Sequence, residues 1–174
     1  MFFVATAPLA PDGSVNLSPK GMDTLRVLDD STLAWLDSGG SGIETIAHLR
    51  ENGRIVIMIC AFEGPPKIWR FHGRGTVLLP GDAEFGALAG RFDRSRLGTR
   101  AIIRVAVKRA SSSCGFGVPL YEFRGQRREA EEYLERNGVQ RLRDYLAREN
   151  AVSIDGLPGL SADEAQRFEP PVER

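Results

Sequence analysis

Three short segments carry side chains whose types and spacing could do chemistry. The first is Asn16-Leu17-Ser18-Pro19-Lys20-Gly21. A strand end there would display a hydroxyl and an ammonium group close together. That pair suits a phosphate, since Lys brings charge and Ser a short hydrogen bond. Taken alone, the segment reads as an ordinary exit from strand to turn with its lysine in solvent. The second is Ser38-Gly39-Gly40-Ser41-Gly42-Ile43-Glu44-Thr45. Its glycines let backbone N–H groups approach an anion, and a following helix N-terminus would add its dipole. It lacks the GK[ST] ending of a P-loop, and Thr45 stands where the last glycine of a dinucleotide fingerprint would fall. An anion loop and a plain capped loop weigh equally at this point. The third is Ser111-Ser112-Ser113-Cys114-Gly115-Phe116-Gly117-Val118-Pro119. A Gly-rich turn carrying Phe116 and a thiol could lie against a flat ring. Neither a histidine nor a cation stands beside Cys114 in sequence to activate it, so a nucleophilic role is the weaker idea.

Other candidates read more plainly. Trp35 and Trp69 look like core or interface aromatics before ring-stacking ones. The two histidines, His48 and His72, and the two cysteines, Cys60 and Cys114, form no metal-ligand pattern, so no metal is expected. There is no GxSxG elbow. Glu131 and Glu132 belong to a charged, solvated stretch.

The elements that must position these groups are mostly short strands. Phe2 to Ala7 is apolar, and Asp12-Gly13 signals a hairpin. Ser14 to Ser18 alternates polar and apolar, as a half-buried strand does. Leu25 to Leu28 and Thr32 to Leu36 are further strands. Ile43, Ile46 and Ala47 share one face of a short helix that begins at Ser41 or Gly42 and stops at Asn52-Gly53. Arg54 to Phe62 is strongly β. Ile68 to Leu79 is a strand bent at Gly73 and Gly75, where a bulge is natural. Asp82 to Phe92 reads as a helix, Arg100 to Lys108 as an alternating strand, and Val118 to Phe123 as the last strand. Gln126 to Asn150 is helical, split at Asn137-Gly138, with apolar stripes Ala130/Tyr133/Leu134 and Leu142/Tyr145/Leu146. The turn-rich tail from Ser153 to Leu160 is apolar enough to dock, and fraying is expected beyond Ser161. Many short antiparallel strands of this kind suggest a barrel. The expected division is a barrel over 1–125 and a helical extension with its tail over 126–174, packed on the same domain.

Composition bounds the function. The chain has 174 residues, of which 42% are hydrophobic and 26% charged, so it can bury a core without disulfides. Lys+Arg and Asp+Glu both number 23, which imposes no basic face, and no nucleic-acid partner is expected. The segment from Arg124 to Glu149 holds seven Arg and six acidic residues, the pattern of a salt-bridged helix face rather than a nucleic-acid helix. No apolar run approaches the ~20 residues of a membrane helix, so no membrane partner is expected. No basic region precedes the apolar start, so a secretion signal is not expected, and a reducing cytoplasm fits the cysteine usage.

Taken in order, these segments resemble the pyridoxamine 5'-phosphate oxidase-related flavoproteins, which share the FMN-binding split-barrel fold. The residues that carry the resemblance are Asn16 to Gly21, Trp35-Leu36-Asp37, Gly42 to Leu49, and Asn52-Gly53-Arg54. It continues through Pro66 to Gly75, Cys114 to Pro119, and Ser153 to Leu160. The resemblance implies a mainly β fold, a split barrel with a short inter-strand helix and C-terminal helices. It implies a homodimer with FMN at the subunit interface. Asn16, Leu17, Ser18 and Lys20 match the strand that holds the FMN phosphate. Ser41, Gly42, Glu44 and Thr45 match the helix start that shares this task. Trp35 and Leu36 match the strand beside the flavin ring. Cys114, Gly115 and Phe116 would cover the ring from the partner subunit.

Two departures stand out. Vitamin B6 oxidases carry a basic pair on that helix and an Arg at the start of the phosphate strand. Here the positions read Glu44-Thr45 and Val15 or Asn16, and only Lys20 supplies clear positive charge. The C-terminal region also lacks their pyridoxal phosphate pattern, so vitamin B6 oxidation is not expected. The expected function is an FMN-dependent oxidoreductase for a small molecule. The alternatives are a non-catalytic flavin-binding or storage protein, a barrel binding deazaflavin F420 or heme, and a structural dimer with a vestigial pocket. The acidic tail of F420 would want a basic groove, and heme would want His72 or Cys114.

Overall fold

A computed structural model describes residues 1–94 and 98–172. Its strands are β1 (Phe2–Thr6), β2 (Asn16–Lys20), β3 (Leu25–Asp29), β4 (Thr32–Asp37), β5 (Arg54–Cys60), β6 (Ile68–Leu78) and β7 (Ala101–Ser113). Its helices are α1 (Glu44–Asn52), α2 (Phe85–Ala89), α3 (Glu129–Glu149) and α4 (Ala162–Gln166). The strands form one antiparallel sheet in the order β2-β1-β5-β6-β7-β4-β3.

The sheet rolls until its two ends meet. β2 and β3 sit at opposite ends of the strand order, yet only residues 21–24 separate them in the chain. The Leu36 N–H donates to the Thr24 carbonyl at 3.0 Å. The Phe2 and Trp35 rings meet edge to face at 6.1 Å, bringing β1 against β4. No ladder joins β2 to β3, so the barrel is split there. This is the fold class the sequence reading expects.

Alternation places the core. Val4, Ile57, Trp35, Ile103 and Val105 point inward from four strands and are fully buried. Ile43, at the N-cap position of α1, and Ile46 and Leu49 within it join the same cluster. Each large apolar side chain buried this way contributes roughly 1.5–3 kcal/mol. On the outer face, Ala34, Leu36 and Ile102 are covered by Phe85 and Ala89 of α2, so β4 is buried on both sides. Gly53 ends α1 in the left-handed region at φ 69°, where glycine is at ease. The expected irregularity at Gly73 is present. His72 pairs with Arg109 and Gly73 with Val107, so Lys108 bulges out of the ladder.

Several elements differ from expectation. β1 and β2 pair as a hairpin, but through nine residues, with only a local turn at Ala10–Gly13. α2 is shorter than 82–92, and β7 runs on to Ser113 because the polar Arg109–Ser113 stretch pairs with Ile68–His72. Among the described residues no strand follows Ser113. Val118 to Phe123 has strand-like composition but no open strand beside it, because β5 is already paired on both sides. It makes instead a local turn bond, Val118 N–H to Gly115 O at 2.9 Å, and one bond just beyond the end of β5, Tyr121 N–H to Phe62 O at 3.0 Å. α3 is interrupted at Gly138 (φ 75°, ψ 165°), where the sequence predicts the break. The fraying expected beyond Ser161 is corrected. Ser161 caps α4 in a reciprocal capping box with Glu164, and Phe168 packs with Leu146 and Ala165 at 2% exposure. Thr99 and Glu169 then exchange backbone hydrogen bonds. The apolar stripe of the second half of α3 needs this cover.

Candidate functional site

The face of β2 that carries Asn16, Ser18 and Lys20 meets the start of α1. Residues two apart share a face on a strand, so these three polar groups line up by geometry alone. Asn16 Nδ2 donates to Thr45 Oγ1 at 3.0 Å and to Thr6 Oγ1 at 3.3 Å. Ser18 Oγ donates to Asn16 Oδ1 at 3.1 Å. Thr6 Oγ1 lies 3.0 Å from Nδ1 of the buried His48. Burial holds the His48 pKa below its usual value, against the opposing pull of Asp155, Glu44 and Glu51.

A cavity of about 430 Å³ opens at this junction, lined by Ser14, Asn16, Leu17, Ser41, Gly42 and Glu44 among others. Ile154 of the tail closes one side. Asp155 accepts from Ser14 N–H at 2.8 Å and from Ser14 Oγ at 2.9 Å, which straps the tail over the mouth. Glu44 Oε1 accepts from Ile154 N–H at 3.4 Å.

Behind the loop lies a buried ionic knot. Arg100 donates through Nε and Nη2 to Asp37 Oδ2, at 2.8 and 2.7 Å. Lys20 Nζ stands 3.4 Å from Asp37 Oδ1. Burial pushes the Asp37 carboxyl up, but the charges and hydrogen bonds of Arg100 and Lys20 overcome this and hold its pKa below the ordinary value. Two cations against one carboxylate leave one positive charge beneath the loop. Arg100 Nη1 also donates to the Gly42 carbonyl at 2.9 Å and to Asn150 Oδ1 at 2.6 Å.

Lys20 opens as well onto a second cavity of about 820 Å³, with Met22, Phe62, Tyr121, Phe123 and Arg127 among its lining. The two cavities therefore sit at the two ends of β2. Asn16 and Lys20 are four residues apart, roughly 13 Å along a strand.

The structure brings together Asn16, Leu17, Ser18, Ser41, Gly42, Glu44 and Thr45, with Lys20 adjacent. It does not bring Trp35 and Leu36 there. Trp35 is 0% exposed and Leu36 2%, in two different clusters, and both backbone edges of β4 are paired. Within one protomer neither side chain offers a surface to a ring. Cys114, Gly115 and Phe116 lie just beyond the far end of β7, twelve residues from its start beside Asp37. None of the three lines either cavity of the same protomer. Phe116 is 84% exposed. Sequence reasoning missed Arg100 and Asn150. An arginine heading the apolar run Ala101-Ile102-Ile103 was the available signal, since a cation there demands a buried partner.

The donors of the first cavity fit a phosphate group. Among the described residues, the N–H groups of Ser41, Gly42 and Ile43 have no protein acceptor, and α1 has no side-chain cap. Its first-turn N–H groups have no intrahelical acceptor either. Glu44 already sets a carboxylate in this space, since its Oε2 would stand 2.8 Å from a Cβ on Gly42. Among the described residues no group of three His, Cys, Asp or Glu side chains is placed to hold a metal ion.

A rolled, split antiparallel barrel with a polar cavity at an inter-strand helix start defines the class, and comparison with known proteins narrows it. The family model described as pyridoxamine 5'-phosphate oxidase matches residues 1–114. The "pyridoxamine 5'-phosphate oxidase family protein ustO" of Aspergillus flavus is 37% identical over 178 aligned residues, covering 92% of this chain and 70% of that protein. A crystal structure of HupZ from Group A Streptococcus superposes with a TM-score of 0.53 at 26% identity, over 64% of this chain and 88% of that one. An FMN-binding protein from Syntrophomonas wolfei gives a TM-score of 0.49 at 16% identity, over 64% and 75% of the two chains. The chain belongs to the pyridoxamine 5'-phosphate oxidase family. No helix among the described residues is long and apolar enough to cross a membrane.

Proposed function

We propose that this protein binds FMN between two copies of the chain and serves as an FMN-dependent oxidoreductase for a small molecule. The observation that carries the reading is the pair of cavities along β2. One offers free backbone donors to a phosphate, and the other offers Lys20 with Phe62, Tyr121 and Phe123 to an aromatic ring. An elongated ligand with an anionic end and a flat end matches that arrangement. Membership of a flavin-using family supports it. Bound FMN would supply hydride transfer. The chain would bind the phosphate at Ser41 and Gly42, orient the ring and exclude water. Cys114–Phe116, which line neither cavity of their own protomer, would cover the ring of the partner's site.

The test is a titration of cofactor-free protein with FMN, riboflavin and F420, read by flavin fluorescence, followed by assays with electron donors and acceptors. Saturable binding that prefers FMN to riboflavin, with turnover, is the expected result. Tight FMN without turnover for any donor–acceptor pair would make it a flavin-holding protein. F420 in preference to FMN, or no flavin binding at all, would overturn the reading.

A further inference from the structure

The loop between β4 and α1 is held from behind by two side chains that never touch its cavity face. Asn150 Nδ2 donates to the Gly40 carbonyl at 2.9 Å and to the Ser41 carbonyl at 3.3 Å. Arg100 Nη1 donates to the Gly42 carbonyl at 2.9 Å and to Asn150 Oδ1 at 2.6 Å. Three consecutive carbonyls thus point into the knot. In a planar trans peptide, the C=O of one residue and the N–H of the next point in opposite directions. The N–H groups of Ser41, Gly42 and Ile43 are therefore turned outward, away from the knot and toward the side where Ser41 and Gly42 line the cavity.

Both anchors are themselves fixed. Arg100 is 5% exposed and locked on Asp37. Asn150 is 0% exposed, and every polar group it owns is used. Its N–H donates to Leu146 O at 2.9 Å, and its C=O accepts from Leu160 N–H at 2.7 Å. Gly159 passes so close that a Cβ there would stand 2.1 Å from the Asn150 oxygen. The start of the loop needs glycine too, since Gly39 has φ 85°. A guanidinium on the Gly42 carbonyl also polarises that peptide, which strengthens the Ile43 N–H as a donor.

We infer that Arg100 and Asn150 are positioning residues for a phosphate-monoester site, aiming the Ser41, Gly42 and Ile43 amides by gripping the carbonyls behind them. The inference rests on the FMN reading and supplies its phosphate half. Asn150 lies outside the residues 1–114 that the family model matches, so the C-terminal region is part of the site.

The test compares wild type with Asn150→Ser, which is neutral and too short to reach the loop. Asn150→Asp, which keeps the contact to Arg100 and loses the donors to Gly40 and Ser41, is the isosteric second variant. Kd is measured for FMN and for riboflavin, with folding checked by circular dichroism and melting temperature. The expected result is a loss of about tenfold or more in FMN affinity with riboflavin held within about twofold. An unchanged FMN-to-riboflavin ratio in either folded variant would overturn the inference and leave the flavin reading intact. If wild type binds neither flavin, the flavin reading fails, and inorganic phosphate followed by amide NMR decides the inference. Phosphate-dependent shifts at Ser41, Gly42 and Ile43 that vanish in Asn150→Ser uphold it, and their absence in wild type overturns it.

Discussion

Asp37 and His48 are buried titratable groups with folded pKa values held below their ordinary ones. The sign of the linkage is the same for both. The unfolded chain takes up a proton that the folded chain resists, so stability falls on acidification. The windows differ. His48 loses its contribution as pH drops below 6.5, its ordinary value. Asp37 loses its contribution below about 3.9. The urea midpoint should therefore descend in two stages. His48→Gln should remove the first stage and leave the second, and a first stage that survives would assign it to another group. The residue scale was partly legible in sequence. Asn16, Ser18 and Lys20 share a face by strand alternation, and Thr45 follows from the helix start. Arg100 was not legible as a partner of Asp37. The two are 63 residues apart and meet only because the end of β4 pairs with the start of β7.

At the scale of elements, the β6–β7 ribbon shows how a backbone detail fixes a register. A Cβ on Gly73 would stand 2.3 Å from the Ala106 carbonyl oxygen, a rigid backbone atom. Gly73→Ala should destabilise the protein by ~1–3 kcal/mol, the cost of overpacking a close contact. Gly86 in α2 is the opposite case, with nothing within 4 Å of a Cβ there. Gly86→Ala should stabilise by up to ~1 kcal/mol through helix propensity. Urea unfolding of both variants checks the opposite signs. The bulge, the α1 stop at Gly53 and the α3 break at Gly138 were readable because glycine marks them locally. The misread strand at Val118–Phe123 had the right composition, but composition does not say whether a neighbouring strand is still open. The ordered tail was hidden for a related reason. Ser161 and Glu164 look like any polar pair until α4 is seen to cover Leu146.

At the scale of the whole molecule, the stretch after β7 is conspicuous. Phe116, Leu120, Tyr121 and Phe123 are 84%, 75%, 61% and 67% exposed. Apolar surface gathered in one segment marks an interaction site. A second copy is the occupant that the FMN reading requires, since a two-fold interface carries each Phe116 toward the other protomer's site. Sedimentation should show a dimer at micromolar concentration, and Leu120→Glu, outside the ring cavity, should give a folded monomer with weakened FMN binding. A wild-type monomer that holds FMN at full affinity would refute the shared site.

The split in the barrel leaves two bare strand edges, the usual templates for runaway sheet growth. Each edge carries its own obstacle. β2 includes Pro19, which has no N–H to offer an incoming strand. β3 changes register between Val27 and Asp29, which breaks the even spacing that a new ladder would need. The molecule can therefore stay open at its seam, where a ligand would enter, without becoming a seed for fibrils. Association is left to its faces, where side chains rather than backbones choose the partner.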